Sequence, residues 1–105
     1  MKVYREYSRS GELLIEGKLN TARLKSGIWK EYNKKGILLV EERYRNGKRQ
    51  GVYKSFHDNG KIWCEGIFKA GKKQGDFKIY NQRGELVKIQ FYKEDKLIRD
   101  EVIGK

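Results

Sequence analysis

Few side chains in this sequence are suited to chemistry. There is one histidine, His57, and one cysteine, Cys64. A thiolate nucleophile needs a base within hydrogen-bond reach and a third group to orient that base. His57 falls in His57-Asp58-Asn59-Gly60, a turn signal, whereas Cys64 stands in an alternating apolar run with Ile62 and Phe68. Cys64 therefore reads as a small core residue and His57 as a solvated turn residue. A single cysteine also excludes an internal disulfide framework and a cysteine-based zinc site. Glu16, Glu41 and Glu65 form a recurring carboxylate, replaced by Ile89 in the last unit. If successive copies lie two strands apart in a sheet, they stand roughly 9–10 Å from one another. Metal ligands must approach to about 2.0–2.6 Å, so no shared ion is expected there. Arg5, Lys30, Lys54 and Lys78 recur between them, which predicts a ladder of alternating charge instead. Gly47-Lys48-Arg49-Gln50-Gly51 and Gly71-Lys72-Lys73-Gln74-Gly75 lack the spacing and the following helix of a phosphate-binding loop. They read as turns. No catalytic residue, cofactor or metal site is expected, and the chain is read as a non-enzyme.

The elements that position these groups follow from an internal repeat. Gly27, Gly51 and Gly75 recur at one period, as do Gly36, Gly60 and Gly84. Rings keep the same step: Trp29 and Tyr32, Tyr53 and Phe56, Phe77 and Tyr80, then Tyr44, Phe68 and Tyr92. Tyr4, Tyr7, Gly11, Leu13, Glu16 and Leu19 fit as a first copy with one extra loop residue. Four units result, at 3–26, 27–50, 51–74 and 75–98, with a C-terminal cap over 97–105. Each holds two short runs such as Ile28–Tyr32 and Leu38–Tyr44, of strand length and too short for free-standing helices. The glycines are expected where the chain turns, since only glycine takes positive φ without steric cost. Strands joined so closely must pair antiparallel. The predicted fold is all-β: an elongated single-layer antiparallel meander of four hairpin units of about 24 residues, about eight strands, with an extra closing strand from the tail. Rings one period apart, Tyr32, Phe56 and Tyr80 among them, are expected to line up in an apolar seam.

Composition agrees with a thin sheet. The 105 residues are 37% hydrophobic and 37% charged, and the apolar share leans aromatic, with seven Tyr, four Phe and two Trp. Such rings bury roughly 150–250 Å² each, enough for a few of them to hold one layer together. Proline is absent. Met1–Glu6 carries no apolar run of signal-peptide length, and no stretch approaches about 20 apolar residues, so a cytoplasmic protein, peripheral to a membrane at most, is expected. The formal charge of +11 draws the chain towards anions without choosing among them.

Gly27-Ile28-Trp29-Lys30-Glu31-Tyr32-Asn33-Lys34-Lys35-Gly36-Ile37-Leu38, Tyr44–Lys54 and Asn59–Glu65 resemble the MORN repeat, specifically its bacterial variant. The resemblance covers essentially the whole chain. It implies one β-hairpin per repeat and an extended single-layer sheet. It also implies membrane attachment, phospholipid contact or scaffolding, as in eukaryotic members, or an antitoxin-like part, as bacterial variants are often labelled. A kinase label carried by some relatives is not inherited, because this chain is all repeat.

Two surfaces are candidates for binding. The meander sorts its loops onto two long edges. One edge gathers Arg23, Lys25, Arg45, Lys48, Arg49, Lys69, Lys72, Lys73, Lys93 and Lys96 against only Glu94 and Asp95. Trp63 breaks the repeat where Leu39 and Val87 stand, and is expected on the face opposite Ile62 and Cys64. There, with Ile67, Val87, Ile89 and Phe91, it would form an apolar docking patch. Another protein is the favoured partner and anionic lipid the alternative. Nucleic acid is less favoured, because the rings hold packing positions and are not interleaved with the basic loops. A homodimer through an edge strand is a further expectation.

Overall fold

A computed structural model describes residues 1–103. Their backbone forms β1 (Lys2–Tyr7), β2 (Leu13–Leu19), β3 (Lys25–Tyr32), β4 (Leu38–Arg45), β5 (Lys48–Phe56), β6 (Ile62–Lys69), β7 (Lys72–Tyr80), β8 (Leu86–Lys93) and β9 (Lys96–Val102). The nine strands make one sheet in chain order, each antiparallel to the next, with outer dimensions of 43 × 31 × 16 Å. The all-β meander and its added C-terminal strand are both present. The last two residues of the cap expected over 97–105 lie outside the described residues.

The two edges are turned by different devices. Asn46-Gly47, Ala70-Gly71 and Glu94-Asp95 each hold positive φ at both positions, the two-residue turn whose twist matches paired strands. These turns also stack: the N–H groups of Gly47, Gly71 and Asp95 donate to the carbonyls of Lys25, Arg49 and Lys73 of the preceding unit at 2.8–2.9 Å. On the other edge the Asn33 and Asn81 carboxamide oxygens each accept two backbone N–H groups of their own turn.

One set of glycines is not at the turns. Gly27, Gly51 and Gly75 lie within β3, β5 and β7, at φ of 74°, 108° and 79°. Beside them the register slips: Glu16 faces Lys30 but Lys18 faces Ser26, and the same slip recurs between β4 and β5 and between β6 and β7. They form bulges, which sharpen the local twist of the sheet. The positive φ that glycine supplies is used to bend a strand, not to reverse it.

The core is a row of rings on one face. Trp29, Tyr44, Phe68 and Phe77 are the buried apolar side chains, with Trp29 at 4% and Phe77 at 2% exposure. Tyr4, Trp29 and Tyr44 pack in succession, as do Tyr53, Phe68, Phe77 and Tyr92, at centroid distances of 5.4–6.2 Å. The rows interleave two periodic sets, one from odd strands and one from even strands. The Trp29 ring lies flat on Gly17 and Phe77 on Gly66, where an added Cβ would come within 2.1 and 2.6 Å of ring carbons. Tyr32, Phe56 and Tyr80 do recur at matching places, opposite Leu38, Ile62 and Leu86, but they are not the buried seam. The Tyr80 hydroxyl instead reaches Glu65 on the opposite face, at 2.7 Å.

Candidate functional site

The basic edge divides into two kinds of cation. Lys25, Arg49 and Lys73 stand in the first two residues of their odd strands and fold back over the ring seam. Lys25 Nζ lies 4.7 Å from the Trp29 ring and 4.8 Å from Tyr44; Arg49 lies over Tyr44 and Phe68; Lys73 lies over Phe77 and Tyr92. Arg49 also pairs with Glu42 at 2.6 Å, which holds its guanidinium pKa above the ordinary value. These three cap the core. Sequence reasoning placed them with the solvent-facing loops. Their period-matched place ahead of each ring was the signal for the second role.

The remaining edge cations point to solvent: Arg23, Arg45, Lys48, Lys69, Lys72, Lys93 and Lys96 are all exposed. Six of them stand directly opposite one another, as Arg45 with Lys48, Lys69 with Lys72, and Lys93 with Lys96. Each pair flanks one of the stacked turns, so the pairs recur along the edge at roughly 9–10 Å.

The rest of the sheet arranges charge in the opposite way. Across the face away from the rings run Arg5, Glu16, Lys30, Glu41, Lys54, Glu65, Lys78, Ile89 and Glu101, each the register partner of the next. The alternation predicted from the sequence is thus present in register. Among the described residues, only Arg5 and Glu16 close to ion-pair distance in this row, at 3.0 Å. No group of three His, Cys, Asp or Glu among the described residues is placed to hold a metal ion.

The five residues expected as one apolar patch are not brought together. The β5–β6 register sets Ser55 against Cys64 but Phe56 against Ile62, which leaves Trp63 at a bulge and breaks its alternation. Trp63, 53% exposed, lines a groove with Leu39, Val40, Tyr53, Cys64 and Ile79. Val40, Tyr53, Cys64 and Ile79 belong to the ring face, so Trp63 shares a face with Cys64 and does not oppose it. Ile67, 52% exposed, sits on the ladder face opposite Val52, in a shallow depression with Glu65, Asp76 and Lys78. Val87, Ile89 and Phe91 are half-buried on β8, and Arg99 covers the Phe91 ring at 4.2 Å.

His57 also departs from its expected role. It is half-buried and stacks on Trp63, with centroids 5.3 Å apart and planes at 22°. Its Nε2 lies 2.8 Å from the Tyr80 carbonyl, which can only accept, so Nε2 carries the proton. Cys64 is half-buried, and its burial pushes the thiol pKa up, away from the reactive thiolate.

Residues 25–46 and 49–70 each match the family described as the MORN repeat variant. Those two stretches are similar to MORN repeats. The matched stretches take in β3–β4 and β5–β6, the two central hairpins. No curated protein matches the chain. MORN repeats are known for membrane or phospholipid binding and for protein interaction, and the repeat is of a non-catalytic type.

Proposed function

We propose that this protein is a non-catalytic interaction module whose basic edge docks an acidic surface of another protein, in an antitoxin-like or scaffolding part. The observation that carries the reading is the set of like-charged pairs in direct register, Arg45/Lys48, Lys69/Lys72 and Lys93/Lys96. Like charges placed opposite each other destabilise a sheet, on the order of a few tenths of a kcal/mol per pair. The same chain alternates sign along its ladder, so a repeated cost at one edge, and not at the other face, fits a surface kept for an anionic partner. A solubility coat would gain as much from lysines placed anywhere.

A second reading has its own support. Leu24 and Leu97, 43% and 50% exposed, stand at this same edge beside the cations. Apolar side chains next to a row of lysines suit an anionic lipid surface, where the cations meet headgroups and the leucines enter the interface.

Co-expression with the products of flanking genes tests the first reading. A complex that survives gel filtration at physiological salt, and is lost when Lys48, Lys69, Lys72, Lys93 and Lys96 are all changed to glutamine, supports it. Co-sedimentation with phosphatidylserine-containing vesicles, lost at high salt and in the same variant, points to lipid. A partner complex that the five substitutions leave intact overturns the edge as the docking surface.

A further inference from the structure

His57 and Trp63 are both departures from the repeat, and they touch. At equivalent turns stand Asn33 and Asn81, whose carboxamides each close their own turn with two bonds. The third unit gives up those bonds, and its histidine ring stacks on Trp63, which stands where Leu39 and Val87 stand. Asp58 is a third departure, in place of Lys34 and Gln82. All three line the groove on the ring face, about 700 Å³ in volume. In a repeat protein the shared positions build the scaffold; positions that differ in one unit and meet in space mark a surface particular to that unit.

The electrostatics of this groove run against the rest of the molecule. Its walls hold Glu31 and Asp58 and no lysine or arginine, whereas each of four other surface depressions is lined by at least one such cation. Both carboxylates are exposed, and neither has an ion-pair or side-chain hydrogen-bond partner among the described residues; Asp58 stands at the rim, where it also borders a depression with Lys34 and Lys35, and Glu31 lies inside. On a chain of charge +11, two unpaired carboxylates beside an exposed tryptophan select an occupant that is apolar and positively charged. We propose that the groove docks a basic, apolar segment of a partner chain, with a large apolar side chain against Trp63 and an arginine or lysine reaching Glu31 or Asp58. This site is separate from the basic edge and has the opposite charge preference.

The test uses the full chain and two capped synthetic peptides, one alternating leucine and arginine and the other leucine and glutamate. Binding is read by amide chemical shifts and by tryptophan emission. The leucine–arginine peptide is expected to give saturable shifts at residues 31, 39–40, 55–58, 63–64 and 79, at an ionic strength that strips anionic vesicles from the basic edge. Trp63→Leu restores the residue that the second unit carries at Leu39, and should weaken binding tenfold or more. Glu31→Gln with Asp58→Asn should weaken it threefold or more. The shielded Trp29 ring reports in every variant that the sheet is still formed. Equal shifts at residues 31, 39–40, 55–58, 63–64 and 79 with the leucine–glutamate peptide overturn the proposal, as do leucine–arginine shifts confined to residues 45–48, 69–72 and 93–96, or no saturable shift at millimolar peptide. Loss of binding at the groove leaves the partner complex tested through the five edge lysines untouched, so the two readings fail separately.

Discussion

Ala70 holds φ at 51°, in the left-handed region, where the equivalent position of the preceding hairpin carries Asn46 at 49°. Asparagine tolerates that region better than other side chains with a Cβ. Ala70→Asn should therefore stabilise the protein by about 0.5–1 kcal/mol and raise its Tm by a few degrees in a thermal melt. Tyr80 supplies a second prediction. Its hydroxyl donates to Glu65, and that hydrogen bond, with lesser help from burial and the carboxylate charge, pushes its pKa up to about 12 from the ordinary tyrosine value of 10.0. The raised value means the folded state favours the protonated phenol. The contribution is fully present below pH 10 and is lost as pH rises from 10 towards 12. Tyr80→Phe should remove this component, so that the alkaline fall in Tm across that window becomes shallower than in the parent. At this scale the sequence was only partly legible. Cys64 as a small packing residue could be read from its alternation with Phe68. The second role of Lys25, Arg49 and Lys73 went unread, because a cation near a strand start looks the same whether it faces water or folds over a ring, and only its constant place ahead of each ring points to the difference.

Between neighbouring strands the decisive events are slips of register. The period-24 glycines and rings made the hairpins legible, and the two-residue turn at Asn46-Gly47 announced itself. Gly27, Gly51 and Gly75 did not, since a bulge and a turn ask the same positive φ of glycine. The same ambiguity misplaced Trp63: strict alternation puts it with Ile67, and one unpaired residue between Ile62 and Cys64 moves it to the ring face. Alternation is reliable only between bulges. The ladder escaped this problem because Glu16, Glu41 and Glu65 lie in segments without a slip between themselves and their cationic partners. The like-charged pairs allow a test that separates binding from folding. Lys72→Glu turns the Lys69/Lys72 pair into an opposite-charge pair, which should stabilise the sheet by about 0.2–1 kcal/mol. The same substitution should weaken binding to the acidic partner or vesicle. If it weakens binding and stability together, the edge is needed for folding and its charge is not kept for a partner.

The whole molecule is one layer, 16 Å thick, with a single row of rings for a core and a net charge of +11. No second sheet or helix among the described residues shields one part of this charge from another. At an ionic strength of about 0.01 M the screening length is roughly 30 Å, comparable to the 31 Å width of the sheet, so most of its charges feel one another. Two opposing effects then compete as salt is added. Screening weakens the ladder and the ion pairs Arg5–Glu16, Arg49–Glu42 and Lys88–Asp100, which lowers stability. Screening also relieves the three like-charged pairs and the general repulsion of the excess cations, which raises it. The ion pairs act over 2.6–3.5 Å, shorter than the screening length of about 8 Å at physiological salt, so they are weakened least. The repulsions among the edge pairs recur at roughly 9–10 Å and are weakened most. The second effect should win: Tm should climb steadily from low salt to physiological salt and beyond. Lys72→Glu should show a flatter climb, because it removes one repulsion that salt would otherwise screen. A Tm that falls with salt would mean that the alternating ladder, and not the charged edge, governs the electrostatics of the sheet.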